Sequence, residues 1–308
     1  MNTPTDPLQN ESVKNINSAI QTKFDRSVSV LTWGLNEQNL LISFLDNIFS
    51  LMDATVEEYE VIFVDDGSND NSPAILREYA ARNPLLKVIT NSKPLNVGLA
   101  LRRAIEVASK EYLFWQTVDW SYDIRNLRIF LELLRHYDAV QGVRPVPERL
   151  LSHIPLVRSI YRVKTRSDKL SKAVISLGNY YLLRILFNVN FHDFQNITFY
   201  KTRTVKSLNI QGKTSFVNPE LLFKYHAQGM RFIEVPIHFI PRKSGVAKGT
   251  RFPVVVKSIL DLLYNWWRWG RTLHKTGAER HPIHRVSFPF NLNDETLRLV
   301  IPLFKDLL

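Results

Sequence analysis

Apolar and polar positions fall into blocks along the first half of the chain, and the period of the blocks switches in a regular way. Val28–Trp33 reads as a strand, and Glu37–Met52 carries leucines and isoleucines at helical spacing. Val61–Val64, Leu86–Thr90, Tyr112–Gln116 and Ala139–Gly142 follow as strands, with Pro73–Arg82, Val97–Ser109 and Ile124–His136 as the helices between them. Strands joined by helices of this length need right-handed crossovers and give a mostly parallel sheet. The pattern predicts a doubly wound α/β layer over residues 27–143.

Beyond Arg144 the pattern loosens. Leu150–Leu186 is mostly helix-compatible and very basic, and His192–Tyr200 and Met230–Ile240 are strand-like, with Pro219–Gln228 as a helix between them. No repeat or low-complexity linker separates the halves, so the chain reads as one domain with a C-terminal extension. The first 26 residues are polar, lack the apolar core of a signal peptide and are expected to form a flexible tail.

Composition narrows the chemistry. The 308 residues include no cysteine, which excludes disulfides, cysteine-ligated zinc and a thiol nucleophile, and permits a reducing compartment. The formal net charge is +11, with Arg158, Arg162, Lys164, Arg166, Lys169 and Lys172 crowded together. Such an excess suits a phosphate-rich partner, whether nucleic acid, nucleotide or anionic membrane. The chain has no recognisable nucleic-acid reader motif, and charge alone does not support that partner.

Val61-Ile62-Phe63-Val64 runs into Asp65-Asp66-Gly67-Ser68-Asn69-Asp70-Asn71-Ser72, a buried strand followed by an acidic turn that can open a helix. In an open α/β sheet ligands bind at the carboxyl ends of strands. Two adjacent carboxylates there can accept hydrogen bonds from a base or ribose, or hold a divalent cation. The structural alternative is a solvated turn with Asp70 or Ser72 as an N-cap.

Taken together, Val28–Leu31 running into Asn36-Glu37, then Val64-Asp65-Asp66-Gly67-Ser68, then Asn96-Val97-Gly98 opening a helix resemble the start of a family 2 glycosyltransferase. The resemblance covers about residues 27–250 and implies a Rossmann-like GT-A fold with a nucleotide-sugar-binding half (27–143) and an acceptor-binding half (144–250). It places Asn36, Glu37, Asp65, Asp66 and Gly98 around the nucleoside-diphosphate sugar. A carboxylate at a strand end can by itself take both hydroxyls of a ribose; Glu37 alternatively complements a helix N-terminus. Within the family the second half looks most like the polyprenyl-phosphate glycosyltransferases.

The same resemblance sets the family's Asp-x-Asp metal motif on Trp115–Ser121. Thr117 stands where the first Asp is expected, which leaves Asp119, with Asp123 nearby, to hold Mg²⁺ or Mn²⁺ against the leaving diphosphate. An ordinary cap for the following helix is the alternative for Asp119. In Phe191–Tyr200 the resemblance puts Asp193 in the active site near the acceptor nucleophile, with Gln195 and Asn196 beside the acceptor or diphosphate. Asp193 would be a general base for a sugar hydroxyl, or an orienting group for a phosphate acceptor that is already anionic. A structural Asp–Arg pair is its alternative.

Pro241–Gly249 resembles the basic loop after the last core strand of the polyprenyl-phosphate group. Its glycines give freedom, and Arg242 and Lys248 supply charge for phosphates. Arg144, Arg158 and Arg162 are further candidates for the acceptor phosphate. Residues 251–308 are expected to form an amphipathic helical extension. Over Phe252–Lys275, Lys257, Asp261, Arg268, Arg271 and Lys275 project within an arc of about 80°, and Phe252, Val255, Ile259, Leu263, Trp266, Trp267 and Trp269 fall opposite. Tryptophan beside basic residues suits a bilayer surface, while a helix packed on the core fits the same pattern.

The leading expectation is an inverting hexosyltransferase that moves a sugar from a nucleoside-diphosphate sugar to a polyprenyl phosphate, peripheral on the cytoplasmic face of a membrane. Transfer to a saccharide hydroxyl and a catalytically degenerate nucleotide-sugar binder are the alternatives. A membrane protein partner and a homo-oligomer both stay open. The apolar positions Leu297–Val300 and Leu303–Leu308 would serve a short docking helix.

Overall fold

In the computed structural model, residues 22–143, 170–237, 240, 252–275 and 281–285 are described. The first half follows the periodicity closely. Strands β1 (Val28–Gly34), β2 (Tyr59–Asp65), β3 (Leu86–Thr90) and β4 (Tyr112–Trp115) alternate with helices α1 (Gln38–Thr55), α2 (Ser72–Arg82) and α3 (Val97–Val107). Leu41, Phe44, Leu45, Ile48, Phe49 and Met52 form one buried stripe on α1, as spacings of three and four residues dictate. Every residue of β2 and β4 is buried, so both faces of the sheet are covered there.

After β4 come α4 (Leu127–Leu133), β5 (Ala139–Val143), α5 (Leu170–Phe187), β6 (Thr198–Lys201), α6 (Thr202–Ser207), α7 (Val217–Ala227), β7 (Phe232–Pro236), α8 (Phe252–Arg268), a 3₁₀ turn (Gly270–Lys275) and β8 (His284–Arg285). The eight strands lie in the order β3-β2-β1-β4-β6-β5-β7-β8. Of these, β6 alone runs antiparallel, between β4 and β5. The turn that precedes β6 therefore opens at the same edge as the carboxyl ends of the parallel strands. The chain winds outward through β2 and β3 and then returns to the other side of β1, which puts the switch point, and its crevice, between β1 and β4.

Three boundaries differ from the sequence reading. Helix α4 is shorter than Ile124–His136, because its ends close through i to i+3 bonds such as Ile129 N to Asn126 O and Leu134 N to Leu131 O. The strand expected over His192–Tyr200 begins only at Thr198, since the preceding residues turn on their own side chains. Residues 22–26 belong to the fold and not to a tail: Phe24 is fully buried, its amide bonds Thr55 O at 2.7 Å, and Arg128 and Arg135 cover its ring at 5.5 and 4.9 Å.

Residues 252–275 and 281–285 also belong to the fold. Helix α8 packs on α5 through Trp266, Trp269 just after it lies against Phe187 of α5 and under Lys224 of α7, and Phe187 stacks on Phe223 at 4.4 Å. At Gly270, where α8 gives way to the 3₁₀ turn, an added Cβ would stand 2.6 Å from Phe187, so the close approach requires glycine. β8 then pairs with β7 and adds an eighth strand to the sheet. Among the described residues no helix is long and apolar enough to cross a membrane.

Candidate functional site

Two loops interlock at the carboxyl ends of β1 and β2. Asn36, in the left-handed region at φ 54°, receives the Asn69 amide on Oδ1 at 2.9 Å and gives its own amide to Ser68 Oγ at 2.8 Å. The Glu37 amide bonds Ser72 Oγ at 3.1 Å. Asp70 accepts the Gln38 amide on Oδ2 at 3.2 Å and the Ser72 amide on Oδ1 at 2.9 Å. Asp70 thus ties the two loops together as well as bonding the amide that opens α2. The burial of Asp70 is outweighed by these bonds, which hold its carboxyl below the usual range.

Asp65 and Asp66, adjacent in sequence, have different work. Asp66 accepts the Asn91 side-chain amide and the Leu95 amide on Oδ1, both at 2.8 Å, and the Asn96 amide on Oδ2 at 3.1 Å. It fixes the strand-to-helix segment that leads into α3. Asp65 is fully buried, and its Oδ1 accepts the Ser68 amide at 3.2 Å. Its Oδ2 is buried and takes no hydrogen bond from any described residue. A buried carboxylate oxygen without a donor is costly to fold around, which marks a place where a ligand hydroxyl would be favourable.

Gly98 acts through packing. A Cβ there would lie 2.5 Å from the Lys213 carbonyl carbon and 2.6 Å from Gly212 O, so the first turn of α3 rests directly on the Gln211–Ser215 backbone.

Across the crevice, the turn after β4 is tied by its own side chains. Thr117 Oγ1 accepts the Ser121 amide at 3.1 Å, and Ser121 Oγ donates to Asp119 Oδ1 at 2.7 Å. Trp120, at φ 55°, is strained for a bulky residue, and its ring meets Phe44 of α1 edge-on at 5.9 Å. Arg125 engages both oxygens of Asp123, at 2.9 and 2.6 Å. Among the described residues no three His, Asp or Glu side chains gather as a metal cluster. The half-buried Asp119 still fits a hard divalent cation, since Mg²⁺-type sites use one or two carboxylates beside substrate phosphates and water.

Asp193 stands on the turn before β6 and is brought to this same edge. Its Oδ1 accepts the Phe194 and Gln195 amides at 2.8 and 3.1 Å, and Gln141 Nε2 donates to its carbonyl at 2.6 Å. Tyr122 OH donates to Gln195 O at 3.3 Å, which joins the Asp119 and Asp193 turns. Asn196 Nδ2 and Gln141 Oε1 are buried without a partner beside it. The Ile240 amide bonds Ser121 O at 2.9 Å, two residues after Asp119. Arg144, Arg158, Arg162, Arg242 and Lys248 lie outside the described residues.

Sequence reasoning missed the support behind Asp193. Glu234, fully buried on β7, accepts the His192 amide at 2.6 Å, His192 Nδ1 at 3.1 Å and Arg285 Nε at 2.9 Å. Burial would raise its pKa, but the bonds and charges from His192 and Arg285 win and hold the carboxyl below the usual range. The visible signal was a carboxylate inside the apolar strand Phe232–Pro236; nothing local pointed to its partners.

A model of the family described as Glycosyl transferase family 2 matches residues 29–200. Glycosyltransferase AglD of Haloferax volcanii is 26% identical over 254 residues, 78% of this chain and 37% of that protein. The uncharacterized glycosyltransferase YkcC of Bacillus subtilis is 34% identical over 73 residues, so the chain spans 23% of its length. Undecaprenyl-phosphate mannosyltransferase of Micrococcus luteus is 27% identical over 223 residues, 70% of this chain and 84% of that protein. Among solved structures, glucosyl-3-phosphoglycerate synthase from Mycobacterium tuberculosis, in complex with Mn²⁺, UDP and glucosyl-3-phosphoglycerate, superposes with a TM-score of 0.54 at 15% identity. The match covers 87% of this chain and 86% of that one. The shared architecture is the GT-A-like mixed α/β fold.

Proposed function

This chain belongs to glycosyl transferase family 2, and from that premise we propose that it moves a hexose, with inversion, from a nucleoside-diphosphate sugar to a polyprenyl phosphate at the cytoplasmic face of a membrane. The observation that carries the donor half is the buried Asp65 Oδ2 without a hydrogen-bond donor at the end of β2. Ribose hydroxyls supply that donor once the Asn36–Glu37 and Gly67–Asn69 loops part to admit the nucleoside. Asp119 would hold Mg²⁺ or Mn²⁺, which supplies neutralising charge for the leaving diphosphate.

An acceptor phosphate oxygen then forms its bond to the anomeric carbon as the bond from that carbon to the diphosphate oxygen breaks, and the nucleoside diphosphate leaves with the electron pair. No proton has to move, so Asp193, already anchored by two amides, orients the acceptor and is not required as a strong base. Gln195 and Asn196 line the same turn. Arg144, Arg242 and Lys248 are proposed to meet the phosphates, and the anchorage of Ile240 beside Asp119 supports that role for the segment carrying Arg242. The similarity to an undecaprenyl-phosphate mannosyltransferase supports the lipid-phosphate acceptor.

Membrane contact is proposed for the outward face of α8. Leu260, Leu263, Tyr264 and Trp267 are exposed there, with Trp267 at 63%, and Lys257 and Arg268 border them. Apolar residues edged by cations match an anionic bilayer surface.

The test is the thermal midpoint of the full chain across nucleoside diphosphates with and without Mn²⁺, followed by transfer assays on a short-chain polyprenyl phosphate and on soluble oligosaccharides. A metal-dependent rise with one base and transfer to the lipid phosphate are expected, since a ligand that binds only the folded state raises the midpoint. A rise with one nucleotide and transfer to neither acceptor favours a degenerate binder, for which Thr117 in place of an Asp is the reason, and no rise with any nucleotide overturns the donor site. Transfer to the oligosaccharide alone overturns the lipid acceptor.

A further inference from the structure

The loop Gln211–Ser215 joins the two halves of the site and hangs from two carboxylates. Glu220 of α7 accepts the Gln211 and Gly212 amides at 2.9 and 2.5 Å. Asp261 of α8 accepts the Lys213 amide, the Thr214 amide and the Thr214 hydroxyl on one oxygen, at 2.8, 2.9 and 2.8 Å. Four consecutive amides are thus held by side chains from two different helices. On the donor side the loop carries the first turn of α3 at Gly98. On the acceptor side Ser215 O accepts Gln195 Nε2 at 3.4 Å.

The two anchors are unequal. Glu220 is fully buried and paired with Lys224 at 2.6 Å, so its end of the loop belongs to the core. Asp261 rides on α8, where Asn265 Nδ2 bonds its second oxygen at 2.9 Å and Ser258 Oγ meets Ser215 Oγ at 3.3 Å. The projection that grouped Asp261 with an outer polar arc is corrected by these contacts. Asp261, Asn265 and Ser258 turn inward, and the outward face of α8 is the apolar ridge of Leu260, Leu263, Tyr264 and Trp267. Arg271 caps that ridge, 3.7 Å above the Trp267 ring.

We propose that Asp261 couples the seating of α8 on an anionic lipid surface to the ordering of loop 211–215, and through that loop to both halves of the site. The proposal rests on the membrane reading given above. In water the exposed part of the ridge makes no contact that holds α8 in place; burial in a headgroup layer adds apolar contact on its outer side and makes local opening of the helix rarer. The bonds from Lys213 and Thr214 last as long as Asp261 keeps its seat. Asp261 is a positioning residue and touches no substrate.

The test is hydrogen exchange of the full chain, alone, with phosphatidylcholine vesicles, and with vesicles also containing phosphatidylglycerol, alongside sedimentation to read binding. Anionic vesicles are expected to slow exchange across 211–215 by about tenfold, while the buried strands stay unchanged. Asp261→Ala, which keeps no acceptor, should still sediment with the vesicles, because the outer ridge is intact, and should lose the slowing in a protein that melts cooperatively; Asp261→Asn, whose carboxamide keeps one acceptor oxygen, should lose it in part. Trp267→Ser should lose sedimentation and slowing together. Sedimentation of the wild type without slowing overturns the coupling and leaves the membrane reading standing, as does full slowing in Asp261→Ala. No sedimentation with anionic vesicles overturns the membrane reading and the coupling with it.

Discussion

Asp65 and Asp66 were indistinguishable as letters, and only their hydrogen bonds separate them. Asp66 accepts three donors that shape the entry to α3, whereas Asp65 keeps one buried oxygen without a donor. Asp65→Asn should therefore fold normally and lose most of the nucleotide-dependent rise in midpoint, while Asp66→Asn should lower the midpoint even without nucleotide. Equal midpoints for the two unliganded variants would contradict this division. Gly98→Ala drives a methyl into the Lys213 backbone, and overpacking of this kind costs about 1–3 kcal/mol, measurable by urea unfolding. Asp119→Asn is expected to cut turnover sharply with the fold unchanged. The candidates near strand ends were legible because strand-to-turn transitions are local, whereas the Glu234 contacts join residues 192 and 285, and Arg285 in turn reaches Asn190 O, a relation no window of sequence displays.

Elements were read best where one periodicity ruled. α1 emerged to within a few residues because its buried stripe is unbroken, and β3 emerged with the expected limits although only Leu86 of it is buried. The turn before β6 was misread as strand because its polar residues bond their own backbone, a choice that side-chain chemistry makes and hydrophobic period does not see. Helix α8 misled in another way: Lys257 and Arg268 of its polar arc are exposed, whereas Asp261 turns inward with Asn265 and an apolar ridge faces outward. Its tryptophans should separate accordingly. Trp266 is half-buried and donates to Leu186 O at 2.8 Å, so Trp266→Ser should lower the melting temperature; Trp267→Ser should leave it unchanged and weaken vesicle binding. Identical behaviour of both variants would mean that the ridge is structural.

At the scale of the whole molecule, distant segments are fastened by buried polar anchors. Phe24, though apolar, likewise fixes the N-terminal segment to α1, α4 and β4, and Phe24→Ala should cost about 3–5 kcal/mol in unfolding free energy. Glu234 fastens the Asp193 turn to β7 and β8. Its folded pKa lies below the ordinary value, so its stabilisation is complete above about pH 4.3, the unfolded glutamate value, and is lost as pH falls through the folded one. Glu60 and Asp138 act with the same sign: burial raises each, and Lys87 with Ser29, or Lys201 with Arg231, outweighs it. Unfolding free energy should therefore drop steeply below about pH 4, and Glu234→Gln should show a shallower drop from a lower starting stability.

The reversed strand β6 also sets the order in which the molecule can be completed. One side of β4 is closed by β1, which has been made before it, but the other is closed only by β6, with Tyr112 facing Lys201. While the ribosome is still making the residues between, the Tyr112–Trp115 edge has its hydrogen-bonding groups open and its aromatic side chains uncovered, which is the state most prone to pair with another chain. β5 is no substitute, because its neighbours are β6 and β7. A nascent chain released at residue 143 is thus expected to aggregate, and the growing protein to need shielding at that edge until β6 slides in.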